Sequence, residues 1–121
     1  VAFINSIPTL DKLKVEGDES TGVAIVRRSL EEPLRMIAQN AGREGSVVVN
    51  TVKESKTGVG YDALRDDYAN MKQRGIIDPA KVVRAELENA ASIAAMVLTT
   101  ESLITDIKEK EKAMPPAMPE Y

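Results

Sequence analysis

The side chains that could do chemistry in this chain are carboxylates, hydroxyls and cations, because its 121 residues include neither His nor Cys. Without imidazole there is no Ser–His triad, no acid–base group poised near neutrality and little prospect of a zinc or iron site. Without thiols there are no disulfides, no thiolate nucleophile and no cysteine metal cage. Paired carboxylates remain, Asp66 with Asp67 and Glu86 near Glu88. Such pairs do acid–base work only where a pocket positions them; in polar stretches like these they read as solvated faces. Asp78 is better placed. It precedes Pro79 at the start of a helical pattern, where its carboxylate can cap first-turn N–H groups while Pro79 takes the first helical position.

The element that must position these groups is the helix expected over residues 78–104. Val83, Leu87, Ala90, Ala94 and Val97 alternate steps of four and three along one face. Lys81, Arg84 and Glu88 give the first half a charged side. From Ala90 to Leu98 the only polar side chain is Ser92, so this half is expected to be covered on nearly all sides. Met96 and Met36 read as core residues.

Composition limits the function classes. Hydrophobic residues at 43% and charged residues at 29% suit one small domain with a modest core. Sixteen basic and nineteen acidic side chains, with 3% aromatics and no basic cluster, give nucleic-acid binding little support. No apolar run approaches the roughly 20 residues of a membrane span, and no signal peptide opens the chain. These features lead us to expect a cytoplasmic protein without a membrane partner. The chain opens at Val1 without an initiator Met, which suggests a processed or excised piece.

Along the chain, residues 1–7 read as the end of an apolar helix stopped by Pro8. A second helix, capped by Ser20 or Thr21, places Val23, Val26, Leu30, Leu34, Ile37 and Ala41 on one face. Pro33 should kink it or split it into two helices end to end, and Gly42 suits its left-handed close. Residues 46–53 are ambiguous: the β-branched run argues strand, whereas Ser46 as a cap with Val48, Val49 and Val52 on one side argues helix. Glycines punctuate residues 57–62, and short strands near Val59–Tyr61 and Tyr68 would make a hairpin. A helical turn from Met71 should end at Gly75. Residues 103–107 alternate as a strand, and 108–121, with a charge run and three prolines, read as a disordered tail.

Several segments, in order, resemble the C-terminal part of the group I chaperonins, the GroEL family. They are Gly60-Tyr61-Asp62-Ala63-Leu64, Ile76-Ile77-Asp78-Pro79 and Val97-Leu98-Thr99-Thr100-Glu101, supported upstream by Glu32-Pro33-Leu34-Arg35 and by residues 46–53. The likeness runs from about Val1 to Asp106. It implies a mainly α fold, a helical bundle forming the second half of an equatorial domain, with a small β-hairpin and a C-terminal strand. Residues 1–107 would be this fragment, and 103–107 a strand shared with a neighbouring subunit. The resemblance also favours helix over residues 46–53.

The implied function is an ATP-dependent chaperone acting as a double ring of like subunits, with ATP and Mg2+ in the intact protein, a co-chaperonin lid and unfolded client proteins. Asp62, Ala63, Leu64, Ile76 and Asp78 match the family's nucleotide-contacting positions, Asp78 on the ribose and Ile76 against the adenine. Asp62 and Leu64 stand where Asn and Ala are usual, and an ionised Asp cannot donate as Asn does. Arg35, Glu44, Ser46 and Val47 match positions at the contact between rings, with an Arg35–Glu44 ion pair implied across it. The phosphate loop and the catalytic and magnesium-binding aspartates lie in parts of the family pattern that this chain lacks. The fragment alone is therefore expected to bind no cofactor, to be inactive and to self-associate. The alternative reading is a free-standing helical interaction module without nucleotide function.

Overall fold

The computed structural model describes residues 1–106, within two compact units divided at Arg84. The first unit, Val1–Arg84, contains helices α1 (Ala2–Leu10), α2 (Asp18–Ser29), α3 (Glu32–Asn40) and α4 (Gly45–Glu54). Strands β1 (Val59–Asp62) and β2 (Asp67–Asn70) follow, then the single turn α5 (Met71–Arg74). Helix α6 (Ala80–Thr99) starts at the end of this unit and supplies the helical part of the second, from Ala85 onward. The fold is mainly α with one small antiparallel hairpin.

Local chemistry explains most of the boundaries. Pro33 divides the expected long helix, giving α2 and α3 end to end with the ring in the first turn of α3. Gly42, at φ 78°, closes α3: its N–H donates to the Gln39 carbonyl and that of Arg43 reaches the Ala38 carbonyl. This double bond pattern needs the left-handed conformation that glycine adopts without strain. Gly75, at φ 73°, closes α5 in the same left-handed way.

Residues 46–53 are helical, within α4, so the β-branched valines yield to packing. Val48, Val49 and Val52 all face the core, a spacing that only a helix brings to one side. The cap is Glu44 rather than Ser46, its carboxylate accepting from the Ser46 N–H. Around these valines gather Ile4 and Ile7 of α1, Leu30, Leu34 and Ala38, and Tyr61 of β1.

Several expectations are corrected. Pro8 lies inside α1 rather than ending it; the ring removes one N–H near the helix end, and the helix stops within a turn at Leu10. In α3 the inward residues are Leu34, Arg35 and Ala38, while Ile37 and Met36 are exposed. The buried stripe crosses Pro33 through Leu30, Leu34 and Ala38 in steps of four, and the polar Arg35 joins it. Helix α6 starts two residues later than expected and stops five earlier, with Val82 and Val83 N–H both donating to the Pro79 carbonyl. Thr99 and Thr100 hydroxyls bond back to carbonyls of the last turn and compete with further helix.

The largest correction concerns cover. No residue of α6 is buried; Val97 is 66% and Leu98 85% exposed, and Met96 is exposed too. The apolar sequence states a need for neighbours that the second unit by itself does not meet. Residues 102–106 form no strand; among the described residues the one sheet pairs β1 with β2. Ile107 and the expected tail, 108–121, lie outside the described residues.

Helices α3 and α4 meet at Gly45. A Cβ there would come within 2.6 Å of Arg35 Cγ and 2.8 Å of the Arg35 carbonyl oxygen. Gly45→Ala is expected to lower unfolding free energy by about 1–3 kcal/mol, as overpacking does. Urea denaturation checks this, and an unchanged midpoint would contradict the close approach.

Candidate functional site

The hairpin register pairs Val59 with Asn70, Gly60 with Ala69, Tyr61 with Tyr68 and Asp62 with Asp67. The last pair sets two carboxylates opposite each other, and Arg74 of α5 neutralises both. Its Nη1 lies 2.9 Å from Asp62 Oδ2 and 2.9 Å from Asp67 Oδ1, with Nη2 2.7 Å from Asp67 Oδ2. Asp62 is 3% exposed and fully engaged. Its Oδ1 accepts from the N–H groups of Leu64 and Arg65, and its Oδ2 from the Arg65 and Arg74 guanidiniums. The Arg65 hydrogen bond, joined by those from Arg74 and the backbone and opposed by burial, lowers the Asp62 pKa to about 2. The same two aspartates raise the pKa of Arg74 further above its ordinary value.

This arrangement assigns the Asp62 side chain a structural task. It folds the turn and leaves Ala63 and Leu64 exposed at the tip, Leu64 almost completely. Backbone groups, the apolar tip and the half-exposed Arg65 side chain remain available there to a ligand. Asp66 takes the left-handed conformation at φ 55°, and its carboxylate accepts from the Tyr61 hydroxyl at 2.9 Å and from Arg43. Asp66 and Asp67 are thus separately neutralised by cations, not poised as an acid–base pair.

Ile76 and Asp78, both exposed, follow directly on the Gly75 close of α5. Since Arg74 ties α5 to the hairpin, this segment leaves from beside β1 and β2. Val1 connects the two. A Cβ on Gly60 would collide with the Val1 side chain and approach Met71 Cγ to 2.9 Å. Burial lowers the pKa of the Val1 amino group, and the negative charge of Asp78 opposes that shift. Asp78 therefore sits within electrostatic range of the residue that covers Gly60. The candidate nucleotide positions share one region of the first unit, with Asp62 turned inward and the other four exposed.

The second candidate group lies at the α3–α4 corner. Arg35 is buried, and its guanidinium is spent within the chain. It donates from Nε to Glu32 Oε1 at 3.0 Å, from Nη1 to Ser46 Oγ at 2.6 Å and from Nη2 to Glu31 Oε2 at 2.9 Å. Lys53 Nζ reaches the other oxygen of buried Glu31 at 2.5 Å. Burial pushes the Glu31 carboxyl up, but the Lys53 hydrogen bond and the charges of Lys53, Arg28 and Arg35 hold it below its ordinary value. Glu44 and Val47, unlike Arg35, are exposed, Val47 by 59%. Beside them lies an open cleft of about 350 Å³ lined by Arg43, Glu44, Val47, Val48, Tyr61, Asp66 and Tyr68. Tyr61 and Tyr68 meet there as a tilted pair with ring centres 5.6 Å apart.

Sequence reasoning missed Arg74, Glu31 and Lys53. The four-residue spacing of Glu31 and Arg35 was a usable signal for a helical ion pair. Arg74, twelve residues from Asp62, gave none. Among the described residues no group of acidic side chains is arranged to hold a metal ion.

The valine-packed α4, the hairpin and the glycine-closed turn before α6 follow one another in the order of the segments that carry the resemblance. The family model of the TCP-1/cpn60 chaperonin family matches residues 3–108. The chain belongs to that family, and the molecule described is a chaperonin chain, of a kind that works in assembly with other subunits.

Since the Asp62 pKa is depressed, its contribution to stability is present above its ordinary value of 3.8 and is lost as pH falls toward 2. Asp62→Asn should therefore destabilise the chain at pH 6, with a difference from wild type that shrinks between pH 4 and 2. Melting curves across that range test it, and a pH-independent difference would contradict the ionised Asp62–Arg65–Arg74 cluster.

Proposed function

We propose that this chain is the second half of the equatorial domain of a group I, ATP-dependent chaperonin, acting in the cytoplasm as a double ring. The observation that carries the reading is the family match over residues 3–108. In the intact protein, ATP with Mg2+ would bind against the hairpin and the segment before α6. Ala63 and Leu64 offer backbone groups at the exposed tip, Ile76 an apolar side chain for the base and Asp78 a carboxylate for the ribose hydroxyls. The inward turn of Asp62 supports a division of labour, in which its carboxylate shapes the tip and does not itself touch nucleotide.

In that setting ATP binding drives rearrangements that enclose unfolded client protein beneath a co-chaperonin lid, and hydrolysis times release. The missing neighbours of α6 would come from the rest of the subunit. Its uncovered apolar residues support this, because so large a greasy surface is a recruitment site and not a stable end state. The same surface favours self-association of the isolated chain, the one respect in which it would behave as an interaction module.

The purified 121-residue chain is expected to show no ATP hydrolysis above background and to sediment as more than a monomer. In the intact product, Asp78→Ala should weaken ATP binding by about tenfold, the loss of one hydrogen bond made by a charged group. Hydrolysis by the isolated chain that disappears in Asp78→Ala would overturn this assignment, as would unchanged ATP affinity in the intact variant.

A further inference from the structure

Two ties fasten the short helix α5 to β1, one at the start of the strand and one at its end. At the start, the Met71 N–H donates to the Gly58 carbonyl at 2.9 Å. The buried Met71 side chain there lies so close to Gly60 that a Cβ would come within 2.9 Å of its Cγ. At the end, Arg74 holds Asp62 and Asp67. Both ties continue outward. Across the left-handed Gly75, the Ile76 N–H donates to the Met71 carbonyl at 2.9 Å, so Ile76 moves with α5. Asp62 accepts from the Leu64 and Arg65 N–H groups and so shapes the tip. The tip and Ile76 therefore share one frame, and a single guanidinium closes it.

We propose that Arg74 is a positioning residue for the nucleotide, fixing the hairpin tip and residues 76–78 relative to each other so that both engage one nucleoside. This rests on the nucleotide reading given above. Arg74 acts through its neighbours and touches no ligand. Its shape matters as well as its charge: Nη1 serves both carboxylates while Nη2 takes the second oxygen of Asp67. A compact ammonium cannot reproduce that fork. Arg65 also donates to Asp62, but it belongs to the tip itself and joins it to no second element. Without the fork, Asp62 and Asp67 repel across the ladder, and Asp62, 3% exposed, has no path to water. The tip then loses its fixed relation to residues 76–78. A nucleoside held from both sides must order them as it binds, which lowers affinity and leaves the chemical step untouched.

The test uses the intact native product, read by ADP affinity, by kcat at saturating ATP and by sedimentation. Arg74→Lys keeps a positive charge beside the carboxylates and loses the fork. It is expected to assemble as wild type does, to bind ADP about tenfold more weakly and to retain kcat within about twofold. Arg27→Lys, which alters the exposed pair with Asp11 in the same unit, should leave all three readings unchanged. If Arg74→Lys fails to assemble, Asp67→Asn takes its place, because Arg74 there keeps its bond to Asp62. Unchanged ADP affinity in the assembled variant, a kcat that falls with affinity, or an equal loss in Arg27→Lys would overturn the positioning role. Failure of both cluster variants to assemble would overturn it too, since the cluster would then support the fold alone. Wild type that binds no ADP would instead remove the nucleotide reading itself.

Discussion

The buried Glu31–Arg35 pair is the constraint on which the first unit depends. Placing an ion pair in a core is costly unless each charge is fully hydrogen-bonded, and here Lys53, Glu32 and Ser46 complete the bonding from two helices. Arg35 can reach Ser46 only because Gly45, without a side chain, lets α4 press against the Arg35 backbone. The same contact turns Val48, Val49 and Val52 inward, onto Leu34 and Ala38. One guanidinium thus fixes the crossing of α3 and α4, and the corner between them carries Arg43, Glu44 and Val47 outward.

A second cluster repeats the device at the hairpin. Arg74 spans the facing Asp62 and Asp67, which would otherwise repel across the last rung of the ladder. That bridge attaches α5 and sets where residues 76–78 depart. Cation-centred clusters, one buried and one half-buried, position both groups of candidate residues. In both, every charge is met by an opposite one.

Much of this was legible from residue types with a local mechanism. Pro33 splits a helix, and Gly42 and Gly75 close helices, because each acts through its own backbone. What was not legible is tertiary. The valines of α4 fit strand or helix until a facing core chooses. The inward face of α3 includes Arg35, which no apolar periodicity can show, because its place depends on Glu31, Glu32 and Ser46. The exposure of α6 was misjudged for a related reason: an apolar sequence reveals that cover is required, and never which chain supplies it. At the candidate site the sequence marked Asp62 and Arg35, but not that each faces inward, since their partners include Arg74 and Ser46.

The account rests on this chain being one part of a ring-forming chaperonin subunit, and the intact mass of the native gene product tests that most directly. Captured from its source with an antibody raised to this chain, the product should be several times longer than 121 residues and should assemble into a large ring-shaped particle. A native product of only this length, with no ring assembly, would contradict the account and leave a helical interaction module built on a chaperonin fold.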